Sequence, residues 1–251
     1  MTAVGFTEVD WLRLKAAEPP RADPAVTTEV DEYWTHRVLD NPTLFNGPLV
    51  AAAGIRFEEA GCDLQWFRSD YAHYLWRQAP GSSEHRPYAR TIYVATVART
   101  ENGGILVGRM ADTTSSPGRI QLPGGNAEPP NDEEFVEGTL RNHAIREFAE
   151  EVGMPPPAIR LWAVKTGGVG DIGVVYSTNV CTTDAAAAFS RVRAEQAKHS
   201  EFAAVLELVP SPSGKTVSEP VVDYLPVLLD TLFGTQRVAV RELEASVAAR
   251  V

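Results

Sequence analysis

The chain has 251 residues, 44% of them hydrophobic and 22% charged, a balance that argues against a disordered or collagen-like polypeptide and allows one sizeable core with an extension. A formal net charge of −10 disfavours a broad grip on nucleic acid, which depends on lysines and arginines neutralising phosphates. No basic-then-apolar leader and no run of about 18 apolar residues is found, so a secretory signal and a membrane span are not expected; Cys62 and Cys181, far apart and outside any Cys-x-x-Cys pattern, point away from disulfides and zinc and towards a reducing cytoplasm.

Residues 1–88 read as an α+β extension rich in aromatics, including Trp11, Trp34, Trp66 and Trp76, and end in the turn-rich APGSSEHRPY. A main domain is expected over 89–236, with a tail at 237–251. TIYVATVART (91–100) alternates apolar and polar residues, ENGG turns, and ILVGRM (105–110) is a second apolar run, which together predict a β-hairpin. RIQLPGG (119–125) reads as a short strand running into a glycine turn.

A helix is expected next, because Leu140, Ala144, Ile145, Phe148 and Val152 recur at three- and four-residue spacing. Thr139 suits its N-cap and Gly153 its C-cap, and Pro155–Pro157 forbids continuation. Strands near 159–166 and 172–180, a helix over 184–197, a strand at FAAVLELV (202–209), a proline/serine/glycine loop and a helix near 219–234 complete the pattern. Strands and helices mix without strict βαβ alternation, so the expected fold is α/β, a mixed sheet packed between helices.

Glu147, Glu150 and Glu151 fall at i, i+3 and i+4 of the predicted helix and share one face over a single turn, while Phe148 and Val152 point to the buried side. Clustered hard oxygen ligands suit Mg²⁺ or Mn²⁺, which bridge carboxylates to substrate phosphates. The alternative is a solvated acidic stripe.

Arg146-Glu147-Phe148-Ala149-Glu150-Glu151-Val152-Gly153-Met154 resembles the core of the Nudix signature, R-E-U-x-E-E-x-G-U with U a bulky apolar residue. With average residue frequencies such a match arises by chance with a probability on the order of 10⁻⁵. The preceding LPGG and Glu128 resemble the Nudix loop, although Gly125 and Arg146 lie 21 positions apart, seven more than in the usual signature. The box glutamate therefore has three candidates, Glu133, Glu134 and Glu137.

The resemblance implies a Nudix α/β/α sandwich with Glu147 and Glu151 as principal metal ligands, Glu150 as a further ligand or base, the Gly124 carbonyl as a backbone ligand, and Arg146 orienting the carboxylates. Gly124 and Gly125 also form what most glycine pairs form, a turn, but a bare backbone there lets a diphosphate approach. Glu201 is a second candidate base, against the plainer reading of a surface glutamate before a strand.

Asn41-Pro42-Thr43-Leu44-Phe45-Asn46-Gly47-Pro48, FRSDYAHYLWRQ (67–78) and Pro123-Gly124-Gly125-Asn126-Ala127-Glu128-Pro129 are similar to segments of UDP-glucose-type Nudix pyrophosphatases. That likeness implies Mg²⁺- or Mn²⁺-dependent hydrolysis of a nucleoside diphosphate linked to another group, with a UDP-sugar first and ADP-ribose or a dinucleotide as alternatives. An inactive Nudix-fold binding or regulatory module and a hydrolase or isomerase of isoprenoid diphosphates are further alternatives. Tyr71, Tyr74 and Trp76 are candidates for base stacking or for the core, and Arg68, Arg90 and Arg109 are candidate phosphate partners. Many Nudix proteins are homodimers, an assembly that no feature of the sequence demonstrates.

Overall fold

The computed structural model describes residues 2–21, 23–42, 44–79, 90–114, 116–130, 134–168, 170–196, 200–217 and 219–244. All of APGSSEHRPY after Ala79, together with Glu133, residue 197 of the expected helix and residues 245–251 of the expected tail, lies outside them. In chain order come β1 (Thr2–Glu8), β2 (Trp11–Ala16), α1 (Pro24–Asp40), β3 (Pro48–Glu58), β4 (Gly61–Asp70), α2 (Tyr71–Gln78), β5 (Ile92–Thr100) and β6 (Ile105–Met110). They are followed by β7 (Ile120–Gln121), α3 (Glu137–Val152), β8 (Arg160–Gly168), β9 (Ile172–Val180), α4 (Thr182–Gln196), β10 (Phe202–Thr216), α5 (Leu225–Phe233) and β11 (Arg237–Glu242).

The main sheet runs β1-β8-β9-β5-β6-β10-β11, with β7 paired to β6. It is mixed: β5 lies parallel to β9, Ile92 opposite Ile172 and Thr100 opposite Val180, and antiparallel to β6. Strand alternation sends successive side chains to opposite faces. Ile92, Val94, Val174 and Tyr176 pack with Leu140 and Ala144 of α3. Ala98 and Val205 meet Phe148 and Val152 of α3 and Phe189 of α4. On the other face Ala95, Val97, Val107 and Leu206 meet Leu225, Leu228 and Leu229 of α5. The fold is therefore α/β, a mixed sheet between helices. Phe148 is fully buried, so truncation to alanine is expected to cost about 3–5 kcal/mol.

A smaller sheet, β2-β4-β3, carries Trp11 and Trp66, while Trp34 and Trp76 lie on α1 and α2; it joins the larger body where Ala51 pairs with Thr91 and through the residues that expand the motif. Phe135 is buried and meets Trp66 of β4 edge-on at 4.7 Å, and the Arg68 guanidinium donates to the Pro130 carbonyl at 2.8 Å. The extra residues between glycine loop and helix are thus anchored at both described ends.

Several expectations change. β1, assigned to the extension, pairs antiparallel with β8, and Arg237–Glu242, assigned to the tail, pairs with β10, so both are strands of the main sheet. α3 begins at Glu137, not after Thr139: Thr139 sits inside the first turn, where its hydroxyl accepts the Val136 N–H at 3.4 Å and donates to the Glu134 carbonyl at 3.2 Å. Gly153 caps the helix in the left-handed region at φ 86°.

β10 continues through the segment read as a loop. Pro210 and Lys215 both lie opposite Val238, so the residues between them bulge out of the ladder. The last helix starts at Leu225 rather than near 219, because Ile120 donates to the Pro220 carbonyl and accepts from the Val222 N–H, which holds that stretch extended beside β7. No helix among the described residues is long and apolar enough to cross a membrane.

Candidate active site

The glycine loop is laid along β5. Val94 N–H donates to Gly125 O at 2.9 Å, Thr96 N–H to Pro123 O at 2.8 Å and Ala127 N–H to Ile92 O at 2.8 Å, so residues 123–127 occupy the edge of β5 that β6 leaves open. Gly124 has φ 150°, and a Cβ there would stand 2.0 Å from the Val94 carbonyl oxygen. At Gly125 a Cβ would stand 2.5 Å from Glu147 Oε2. The first glycine lets the backbone pass β5 and the second lets it meet the helix carboxylate.

Across the loop, the three helix glutamates do not share one wet face as the sequence suggests. Glu150 is 65% exposed at its side chain and Glu147 16%. Glu151 is 3% exposed, and its Oε2 accepts the Gly124 N–H at 2.7 Å. Rotation by one residue about the helix carries Glu151 away from solvent and under the loop.

These environments set the charges. Burial, then the neighbouring Glu201 charge, raise the Glu151 carboxyl well above its ordinary range; the Gly124 N–H opposes them, while Glu147 and Glu150 add to the rise. Burial also raises Glu147, but the hydrogen bond and charge of His143 and contacts from Arg146 outweigh it and leave this group lowered. His143 Nε2 lies 2.8 Å from Glu147 Oε1, and Arg146 Nη2 lies 3.3 Å from the same oxygen and its Nε 3.9 Å from Glu150. Glu201, at the cleft rim, is raised by desolvation of its carboxyl and then by Glu147 and Glu150. The sequence-derived candidates Arg146, Glu147, Glu150, Glu151 and Glu201 therefore act on one another in space.

Two observations fit a divalent cation at this point. Glu151 Oε1 is buried without a hydrogen-bond partner among the described residues, and the bare Gly125 backbone lets the Glu147 carboxylate come close against the glycine loop. Carboxylate and carbonyl oxygens are the ligands Mg²⁺ and Mn²⁺ favour. Among the described residues no three His, Cys, Asp or Glu side chains are already drawn together at ligating distance. The carboxylates repel one another, and Glu147 is turned to His143 and Arg146.

Glu147, Gly124 and Gly125 line a cleft of about 1140 Å³ that extends to Tyr71, Tyr74, Tyr93 and Tyr224. Tyr93 and Tyr224 stack at 6.1 Å, Tyr71 and Tyr74 lie 5.5 Å apart, and Tyr74 hydrogen-bonds Asn126 just after the glycine pair. Trp76, in contrast, is buried beside Val30 and Ala72. Aromatic rings share the lining of this cleft with many polar and charged side chains, a mixture that suits a ligand with a flat ring and a charged group.

The arginines expected to meet phosphate lie elsewhere. Arg109 forms a two-pronged ion pair with Glu219 at 2.9 and 3.1 Å and approaches Glu242 at 3.5 Å. Arg90 donates to Gly170 O at 3.1 Å, and Arg68 is held by Pro130. None of the three lines the cleft. Among the described residues the basic ones that do are Lys165 and Arg119, which sequence reasoning missed. His143 was also missed, although its place four residues before Glu147 was a visible helical signal. Of the box-glutamate candidates, Glu137 pairs with Arg141 at 2.7 Å and Glu134 lies exposed before the helix.

No protein-family model matches the chain, and no curated protein does either. Among solved structures it is similar to the MutT protein from Methanosarcina mazei Go1, with 25% identity over 36% of this chain and 61% of that one and a TM-score of 0.26. It is also similar to the NUDIX domain of Shewanella oneidensis NrtR, solved as a complex with ADP ribose: 21% identity, 44% of this chain, 71% of that one, TM-score 0.28. A third is the Bacillus subtilis pyrophosphohydrolase BsRppH: 17% identity, 60% of this chain, 85% of that one, TM-score 0.37. The matched part thus spans less than two thirds of the MutT protein's length.

Proposed function

We propose that the protein is a divalent-metal-dependent Nudix hydrolase that cleaves a nucleoside diphosphate linked to another group, with a UDP-sugar such as UDP-glucose as the favoured substrate and UMP and a sugar phosphate as products. The observation that carries this reading is the meeting of Glu147 and Glu151 with the Gly124–Gly125 backbone at one end of an aromatic-walled cleft.

Glu147 and Glu151, with Glu150 and the Gly124 carbonyl, would hold Mg²⁺ or Mn²⁺. Bound there, such an ion neutralises the diphosphate oxygens and makes a water more acidic. The chain supplies the rest. Glu201, with its raised carboxyl, accepts a proton from the attacking water, whose oxygen ends on phosphorus as the P–O–P bridge breaks. Arg146 and His143 fix the orientation of Glu147, and Tyr71 and Tyr74 offer faces to a base. The proposed compartment is the cytoplasm, where the thiols of buried Cys62 and exposed Cys181 stay reduced.

The test is incubation with Mg²⁺ or Mn²⁺ and UDP-sugars, ADP-ribose, NADH, dinucleoside polyphosphates or isoprenoid diphosphates. UMP release, fastest from a UDP-sugar, is expected; faster AMP release from ADP-ribose would move the substrate, and no release from any compound would remove the hydrolase.

A further inference from the structure

Among the described residues, two basic side chains line the cleft against five acidic ones, Glu128, Glu147, Asp171, Glu201 and Asp223. Lys165 is committed: it is 1% exposed, its ammonium donates to the carbonyls of Gly167 at 3.2 Å and Asp171 at 3.4 Å, and it lies 3.6 Å from Asp223. Nearby, Arg77 pairs with Asp171 at 3.0 Å and Arg109 with Glu219.

Arg119 is different. Its side-chain hydrogen bond goes to the neutral Gln121 amide at 3.3 Å, and its Nε is buried without an acceptor among the described residues. Its charge acts on both Tyr74 and Tyr224, opposing the burial that raises these phenols. The Tyr224 hydroxyl in turn accepts the Leu122 N–H at 3.2 Å, two residues before Gly124. Arg119 lines the cleft together with both rings, and its partner Gln121 stands just before the glycine loop. A buried guanidinium N–H without an acceptor is unfavourable, and an anionic ligand oxygen supplies one.

We infer that Arg119, through its unpartnered Nε–H and the adjoining Nη donors, anchors a phosphate of the substrate's diphosphate. The inference rests on the proposed hydrolase site and deepens it, since the phosphates would be gripped by Arg119 as well as by the end of the cleft that α3 supplies. A planar guanidinium meets two phosphate oxygens in a fork that an ammonium cannot reproduce. An anchor used throughout the reaction strengthens binding more than it speeds the chemical step.

The experiment measures binding by calorimetry, in Mg²⁺, of the uridine and adenosine 5′-(α,β-methylene)diphosphates, whose bridging carbon blocks cleavage. Arg119→Gln is expected to weaken binding of whichever analogue the wild type takes by about tenfold or more and to flatten its dependence on added KCl. Arg119→Lys is expected to recover part of the affinity and most of the salt dependence. Urea unfolding of each variant checks the fold; should Arg119→Gln unfold, Arg119→Lys decides, and wild-type affinity in it overturns the inference. Unchanged affinity and salt dependence in Arg119→Gln overturns it too, as does a wild type that binds neither analogue. Because neither analogue is cleaved, Arg119-dependent binding without NMP release from any substrate leaves the anchor standing and removes the hydrolase.

Discussion

The Gly124 N–H donates to Glu151 Oε2 at 2.7 Å, fastening the glycine loop to the last turn of α3. The same contact leaves Glu151 Oε1 buried without a partner among the described residues. One oxygen of this carboxylate is spent on holding the site together, and the other is the side-chain oxygen that fits a cation best.

The two neighbouring glycines are expected to fail differently. Gly124→Ala forces a side chain into φ 150° and to within 2.0 Å of the Val94 carbonyl oxygen, which is main chain and cannot step aside. A loss of about 2–4 kcal/mol in urea unfolding is expected. Gly125→Ala meets only the end of the Glu147 side chain, 2.5 Å away, which can turn. This variant should stay within about 1 kcal/mol of wild type while turnover falls about a hundredfold, a misplacement effect. Equal loss of stability in both variants would contradict the assignment.

His143 holds Glu147 Oε1 at 2.8 Å, so His143→Ala should free the carboxylate to wander. The Mg²⁺ concentration giving half-maximal activity is expected to rise about 10–100-fold, as happens when a residue supporting a ligand is removed. An unchanged metal titration would assign His143 to packing alone.

Much of this was legible in the sequence. Alternation in 91–100 and the apolar run at 105–110 read out the strands on which the site is built, and Leu140, Ala144, Phe148 and Val152 read out the buried stripe of α3. The depth of Glu151 was not legible, because helical spacing gives a direction around the axis but not what packs there. Nor did the arginines announce themselves: Arg109 and Arg119 look alike until Glu219, more than a hundred positions from Arg109, neutralises one and not the other. β1 and β11 were hidden for a similar reason, since an edge strand is defined by a distant partner.

Asp171 gives a pH signature that is independent of catalysis. Burial raises its carboxyl from 3.8 to about 6, against the opposing charges of Arg77 and Lys165 and the Thr91 N–H, with Asp223 adding to the rise. Between those values the folded chain binds more protons than the unfolded one, so this contribution to stability is complete below about pH 4 and is lost as pH rises through about 6. Relative to wild type, Asp171→Asn should gain about 3 kcal/mol in unfolding free energy between pH 4 and pH 7. A pH-independent difference would contradict the shift.

Glu201 lies outside the helix yet is raised by burial and by the charges of Glu147 and Glu150. As proton acceptor it must be ionised, so kcat should fall on the acid side of a limb set by this group. Glu201→Gln is expected to lower kcat by about 10²–10⁴-fold and to abolish that limb. Retention of the limb in the variant would return the role to Glu150.

The decisive measurement is single-turnover release of nucleoside monophosphate in Mg²⁺ by wild type and by Glu151→Gln, with folding of both confirmed by urea unfolding. The amide keeps an oxygen for the Gly124 N–H and removes the charge that would hold the ion. The expected result is rapid release by wild type and a fall of about 10³-fold or more in the folded variant. Wild-type release by Glu151→Gln would contradict the placement of the chemistry at the junction of α3 and the glycine loop.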